Sequence, residues 1–243
     1  MLNNLRKFLR RSKILVHIKR YIFERCYRTK WLLVRPYLIK SYFKDHHIRK
    51  MQIGTGPSLM EGWLNTDIYP KSSEVIFLDA SKPFPFQNST FSNIYSEHLI
   101  EHLTYKEGLF MLNECYRVLK PGGRIRIATP SLETLIDLYS QDKSDLQQRY
   151  MKRIFDKFYP ENRTYREAIV INNAFRNYKH QFIYDCSTLQ DSIEEAGFIE
   201  VTSCKYGESY DNNFQDVESH GKNINDQDID QFHTMILEAK HPI

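Results

Sequence analysis

A helix that stops on Lys120-Pro121-Gly122-Gly123 and gives way to an alternating strand most narrows what this 243-residue chain can fold into. Upstream, Ile94 to Ser96 is a short β-prone run ending at Glu97. From Tyr105 to Leu119, Leu109, Leu112, Tyr116 and Leu119 recur at helical spacing. Pro121 cannot continue that helix, and two glycines turn the chain. Ile125 and Ile127 then alternate within Arg124 to Ala128, closing at Thr129-Pro130. Strand, helix, glycine turn, strand is a parallel crossover unit, which implies an α/β architecture. A 41% hydrophobic share suffices for one large domain with its own core.

Met51 to Asp67 supplies a second unit of the same sheet. Met51 and Ile53 lead a buried strand into Gly54-Thr55-Gly56, where two residues without a Cβ let a ligand approach the backbone. Trp63 to Thr66 is β-prone and ends in Asp67. Ligands of open α/β sheets bind beyond the carboxyl ends of the strands, where an acidic tip accepts hydrogen bonds from a ribose diol. Such a bond is worth roughly 1.5–3 kcal/mol. Val75 to Leu78 ends likewise at Asp79, and the proline-broken loop Lys82 to Asn88 would pass over the same face.

Charge divides the chain. Residues 1 to 50 carry fifteen Lys and Arg against Glu24 and Asp45, a net of +13; with +4 overall, the remainder carries −9. Leu2, Leu5 and Leu9, then Leu15, Ile18 and Ile22, recur at helical spacing among the basic residues, the pattern of an amphipathic arm over residues 1–48 that lies on an anionic membrane surface or packs on the domain. No apolar run approaches the ~20 residues that span a bilayer, and Ile14 to Val16 is too short for a signal peptide. The expected location is cytoplasmic, including the inner face of a membrane. The acid-poor start also resembles an organellar targeting peptide, without its serine enrichment, and no recognition motif for nucleic acid accompanies the charge. Cys26, Cys115, Cys186 and Cys204 are scattered without a C-x-x-C pair, which suggests neither a disulfide framework nor a zinc knuckle.

Together IGTGPS, GWLNTD, FLDASKPFPF, YSEHLIEHL and ECYRVLKPGGRIRIATP resemble the class I S-adenosylmethionine-dependent methyltransferases, and more narrowly a small bacterial branch pairing a GW-x-N-x-D second strand with a later AGF and G-E-S. The likeness runs from about residue 50 to 130 and resumes from 180 to 209. It implies a Rossmann-like three-layer sandwich over residues 49–243, with a mostly parallel seven-stranded sheet and one antiparallel strand near the C-terminal edge. It also implies S-adenosyl-L-methionine as cofactor. Carried over by position, Gly54, Thr55 and Gly56 would face its methionine part, Asp67 and Ile68 the ribose, and Asp79 and Ala80 the adenine. Glu97 and His98 would border the amino-acid end and the reacting methyl. Two departures stand out: Gln52 replaces an acid present in many relatives, and Pro57 to Gly62 is too short for a full first helix.

If the acceptor is a hydroxyl, a base must remove its proton, and His98, His102 and His180 are the candidates, with Tyr184 nearby. The acceptor itself is unidentified; a glycan or lipid-linked saccharide suits the basic arm. His98-x-x-Glu101-His102 also spells a zinc-hydrolase pattern whose histidines would share one face of a helix, and a scaffold without turnover is a third reading. No metal is expected for the methyltransferase. Residues 142–180 read as a helical insertion above the strand tips, Ser187 to Ala196 as a capped helix, Phe198 to Lys205 and His233 to Ala239 as the last strands, and Tyr210 to Gln231 as a polar stretch close to low complexity.

Overall fold

The computed structural model describes residues 13–161 and 164–243. In chain order the elements are α1 (Lys13–Asp45), β1 (Lys50–Ile53), β2 (Leu64–Asp67), β3 (Val75–Phe77), β4 (Phe91–Glu97), α2 (Tyr105–Val118), β5 (Leu119–Pro130), α3 (Leu132–Asp137), α4 (Asp145–Phe158), α5 (Glu167–Arg176), α6 (Cys186–Glu195), β6 (Ile199–Ser203), α7 (His220–Ile224), α8 (Gln227–His233) and β7 (Thr234–Lys240). The sheet runs β3-β2-β1-β4-β5-β7-β6. Neighbours among β1 to β5 pair in parallel, and β7 is antiparallel to both β5 and β6. The expected architecture is therefore present, including the single reversed strand. Chain order turns back between β1 and β4, the switch point where such sheets open a crevice at their carboxyl ends.

Alternation along the strands gives the two sheet faces opposite characters. Met51, Ile94, Ile125 and Ala239 are cross-strand neighbours and belong to the main apolar core, with Met111, Leu112 and Cys115 of α2 and Leu189 and Ile193 of α6. One residue along, Asn65, Gln52, Tyr95, Arg126 and Glu238 form a buried polar row across the other face. Residues 205–218 cover that row. Arg126 donates to Glu218 through Nε (2.6 Å), to Glu238 and to the Glu208 carbonyl; Asn93 donates to Asp211; and Phe214 packs with Trp63 and Tyr95. A smaller core, including Leu135, Tyr150, Phe155, Val170 and Ile229, holds α3, α4, α5 and α8 together.

Local signals explain where helices begin. Thr104 and Glu107 form a reciprocal capping box on α2, Ser144 and Gln147 another on α4, and Asp185 caps α6, two residues before the expected start. Residues 54–63 contain no helix, in keeping with the short spacer between the first two strands.

Much of the predicted arm is α1, one helix of 33 residues and so about 50 Å long. Leu2, Leu5 and Leu9 lie outside the described residues. Its C-terminal part belongs to the domain: Leu38, Ile39, Tyr42 and Phe43 pack against the main core, Phe43 meets Phe86 and Phe91 edge to edge or tilted, and the Tyr42 hydroxyl donates to the Lys50 carbonyl (2.9 Å). Further up, the Tyr27 hydroxyl reaches the Pro70 carbonyl. Elsewhere Ile18, Ile22, Leu33 and Tyr37 are exposed. No described helix is long and apolar enough to cross a membrane.

Candidate active site

A cavity of about 340 Å³ opens at the switch point. Its floor is Gln52 and the turn Gly54 to Ser58; the tip of β4 contributes Glu97 and His98, and the following turn Glu101 and His102. The insertion contributes Tyr150, Lys157, Asn173, Ala174, Tyr178 and, at its end, His180. Of the residues expected to bind a cofactor or act on an acceptor, Gly54, Thr55, Gly56, Glu97, His98, His102 and His180 thus share one cavity. Asp67 ends β2, Ile68 follows it, and Asp79 and Ala80 follow β3, but none of the four lines the cavity; Tyr184 lies in the main core.

The glycine turn is held rigidly. Gly54 N and Thr55 N both donate to the Thr66 carbonyl (2.8 and 3.0 Å), and the Thr55 hydroxyl lies 2.9 Å from Gln52 Oε1 and 2.7 Å from the Ser58 carbonyl. Gly54 has φ +75°, and a Cβ there would stand 2.3 Å from Leu99 Cδ1. Gly56, at φ +53°, donates its N–H to Asp67 Oδ2 (3.0 Å), while Tyr69 N donates to Oδ1 (2.7 Å). The turn therefore orients the carboxylate at the tip of β2. Asp79 Oδ1 similarly accepts from Ser81 N and Oγ.

At the tip of β4, Glu97 accepts from Ser219 N and Oγ and from His220 N at 2.9–3.1 Å, so both its oxygens are occupied in fixing the start of α7. Burial raises its pKa despite those donors. Glu97 still borders the cavity, with both oxygens engaged by the start of α7. His98 adopts φ +48°, a left-handed conformation costly for a side chain with a Cβ and typical of functional sites. Its Nδ1 lies 3.3 Å from Glu101 Oε1 and its Nε2 3.2 Å from Asp230 Oδ1. Burial alone would lower its pKa, but the two carboxylates outweigh that and lift it to about 10. An imidazole held between two carboxylates in this way favours its charged form, which places a fixed positive charge in the cavity wall. Glu101, despite burial, is held at about 2 by His98. The zinc-hydrolase geometry is absent: only Ile100–His102 forms a short 3₁₀ turn, His98 points to Asp230, and His102 lies edge-on to His180 at 4.8 Å.

Residues 57–127 match the family described as Methyltransferase domain. Over that span the chain carries a methyltransferase domain. Among solved structures, a SAM-dependent methyltransferase from Archaeoglobus fulgidus is 18% identical, with 91% of this chain and 99% of that one covered and a TM-score of 0.46. Another, from Mesorhizobium loti, is 12% identical over 84% of this chain and 96% of that one, with a TM-score of 0.48. No curated protein matches the chain. The glycine turn of this methyltransferase fits its cofactor, S-adenosyl-L-methionine: a Cβ built on Gly56 meets nothing within 4 Å, so the space before that backbone is open to a ligand.

Sequence reasoning missed several cavity residues, all between residues 206 and 233, just ahead of β7. Ser219, His220, Asn223 and His233 line the cavity, and Asp230 stands behind His98, itself held by the Tyr206 hydroxyl (3.0 Å). His220 and His233 are pushed down to about 4, first by burial and then by the charge on His98. These polar residues offered no periodic signal, and the partners of His220 and Asp230, namely Glu97 and His98, lie 123 and 132 positions away in sequence.

Proposed function

We propose that this methyltransferase methylates a hydroxyl group of a glycan or lipid-linked saccharide at an anionic membrane surface. The observation that carries the reading is the single cavity joining the glycine turn to His102 and His180 beneath the helical insertion. S-adenosylmethionine supplies an already activated methyl group, so the protein's task is positioning and management of one proton. Gly54 and Gly56 face the cofactor's end of the cavity, and the cofactor extends from there past Asp67 and Asp79 on the neighbouring strand tips. His98, fixed by Glu101 and Asp230, places a positive charge in the wall and keeps the two carboxylates from repelling one another. Polar groups at Asn173, Tyr178 and Asn223 face an acceptor rich in hydroxyls.

Support for the membrane surface comes from α1. Ile18, Ile22, Leu33 and Tyr37 fall within a sector of about 100°, opposite Trp31, Leu38 and Tyr42; exposed Lys19, Arg25 and Lys30 lie at its edges and Lys40 within it. Each basic side chain near an anionic leaflet contributes about 1 kcal/mol.

Titration of S-adenosylmethionine into the protein is expected to give one site, with Asp67→Ala weakening it tenfold or more. With methyl-labelled cofactor and membrane extracts, label is expected in lipid-extractable saccharide and is lost in the same variant. Label confined to protein or to water-soluble metabolites would overturn the acceptor class; binding without transfer to any pool would favour the scaffold reading.

A further inference from the structure

We propose that Glu101, His102 and His180 bind one divalent transition-metal cation in the wall of the active-site cavity. One ligand atom from each lies within 4.8 Å of the others. Glu101 is 0% exposed; its Oε2 accepts from the Thr129 hydroxyl (3.0 Å), whereas Oε1 has no hydrogen-bond partner and only His98 Nδ1 nearby at 3.3 Å. That oxygen, buried and paired only with the His98 imidazole, has lone-pair capacity for a second cationic partner on the side of the two histidines. His180 has Nδ1 2.7 Å from the Ala174 carbonyl, so that nitrogen carries the proton and Nε2 presents a lone pair. Donation of the second ring nitrogen to a backbone carbonyl is how ligating histidines are commonly oriented. Among the described residues nothing hydrogen-bonds the ring of His102.

The backbone locks these groups together. Gln181 N and Phe182 N donate to the Glu101 carbonyl (2.7 and 3.2 Å), and Gln181 Nε2 donates to the His102 carbonyl (2.7 Å). Residues nearly eighty positions apart are thus held as one small frame before any ion arrives. The neighbouring set His98, His220 and Asp230 is equally close, but His98 has both ring nitrogens engaged with carboxylates. Two imidazole nitrogens and one carboxylate suit zinc(II), iron(II), manganese(II) or cobalt(II) better than calcium or magnesium, and leave positions open. Binding stands apart from the acceptor reading; the role rests on it. The bound ion polarises the acceptor hydroxyl, whose proton leaves to water while its oxygen bonds the methyl carbon and the C–S electron pair returns to sulfur.

The test is titration of cobalt(II), then zinc(II), into untagged, chelator-stripped full-length protein. One cobalt per chain with a visible ligand-field band, displaced by zinc, is expected. Affinity is expected to fall at least tenfold in both His180→Ala and His102→Asn, and to persist in Asp67→Ala, which separates failure of the metal site from failure of the cofactor site. Far-UV circular dichroism checks each fold, and the half-exposed His102 variant carries the test if the other fails to fold. No stoichiometric binding at millimolar metal by folded protein would overturn the proposal, as would loss in His220→Ala but not in either of the two variants.

Discussion

Two glycines flanking Thr55, Gly54 and Gly56, share a left-handed conformation but answer to different neighbours. Gly54 has none to spare: alanine there adds a strained φ to an overlap with Leu99. Urea denaturation of Gly54→Ala is expected to show a loss of about 2–4 kcal/mol, the sum of the backbone and overpacking costs. At Gly56, alanine meets open space, so about 1 kcal/mol of strain is expected with the fold intact, and the visible defect is weaker cofactor binding. Both glycines were legible in the sequence as a turn a ligand approaches. That Leu99 fills the space over Gly54 was not, because the contact joins two strand tips from separate crossover units. The same holds for His98, whose identity was readable and whose positive φ and two carboxylate partners were not.

Among the elements, those built on periodicity were readable and those built on polar contacts were not. The strands β1 to β5 and the helix α2 follow from alternation, from 3.6-residue spacing and from the Pro-Gly-Gly stop, with boundaries shifted by a few residues; β4, for instance, begins at Phe91 rather than Ile94. The segment from 205 to 233 has no such period. Its order comes from side chains meeting across the chain, above all Arg126 between Glu218 and Glu238, all nearly excluded from solvent. Arg126→Met is expected to cost about 3–5 kcal/mol in chemical denaturation, since two buried carboxylates lose their counter-charge. Because Glu218 adjoins Ser219 and His220, the variant is also expected to weaken the cavity wall that Glu97 caps.

On the scale of the whole molecule, charge and fold are not two separable parts. The basic region read as an arm over residues 1–48 continues into the main core through Leu38, Tyr42 and Phe43, so removing it would strip core contacts together with its charge. Substitution on the exposed face is the cleaner test: Ile22→Ser with Leu33→Ser is expected to reduce binding to anionic vesicles severalfold while leaving the melting temperature near that of the parent. Wild-type binding is expected to weaken as salt rises, and equal binding to neutral vesicles would count against an electrostatic surface.

The buried polar row across the sheet has a further consequence. One face of the sheet is covered by helices through apolar contacts, the other by a loop joined through ion pairs and side-chain hydrogen bonds with one aromatic anchor at Phe214. Hydrophobic helices loosen residue by residue at their ends, whereas a covering held by interlocking charges loses its partners together. Amide protons of residues 205–233 are therefore expected to exchange with solvent as one cooperative unit, at lower free energy than those of β1, β4 and β5, so that His220 and His233 leave and rejoin the active site in a single opening.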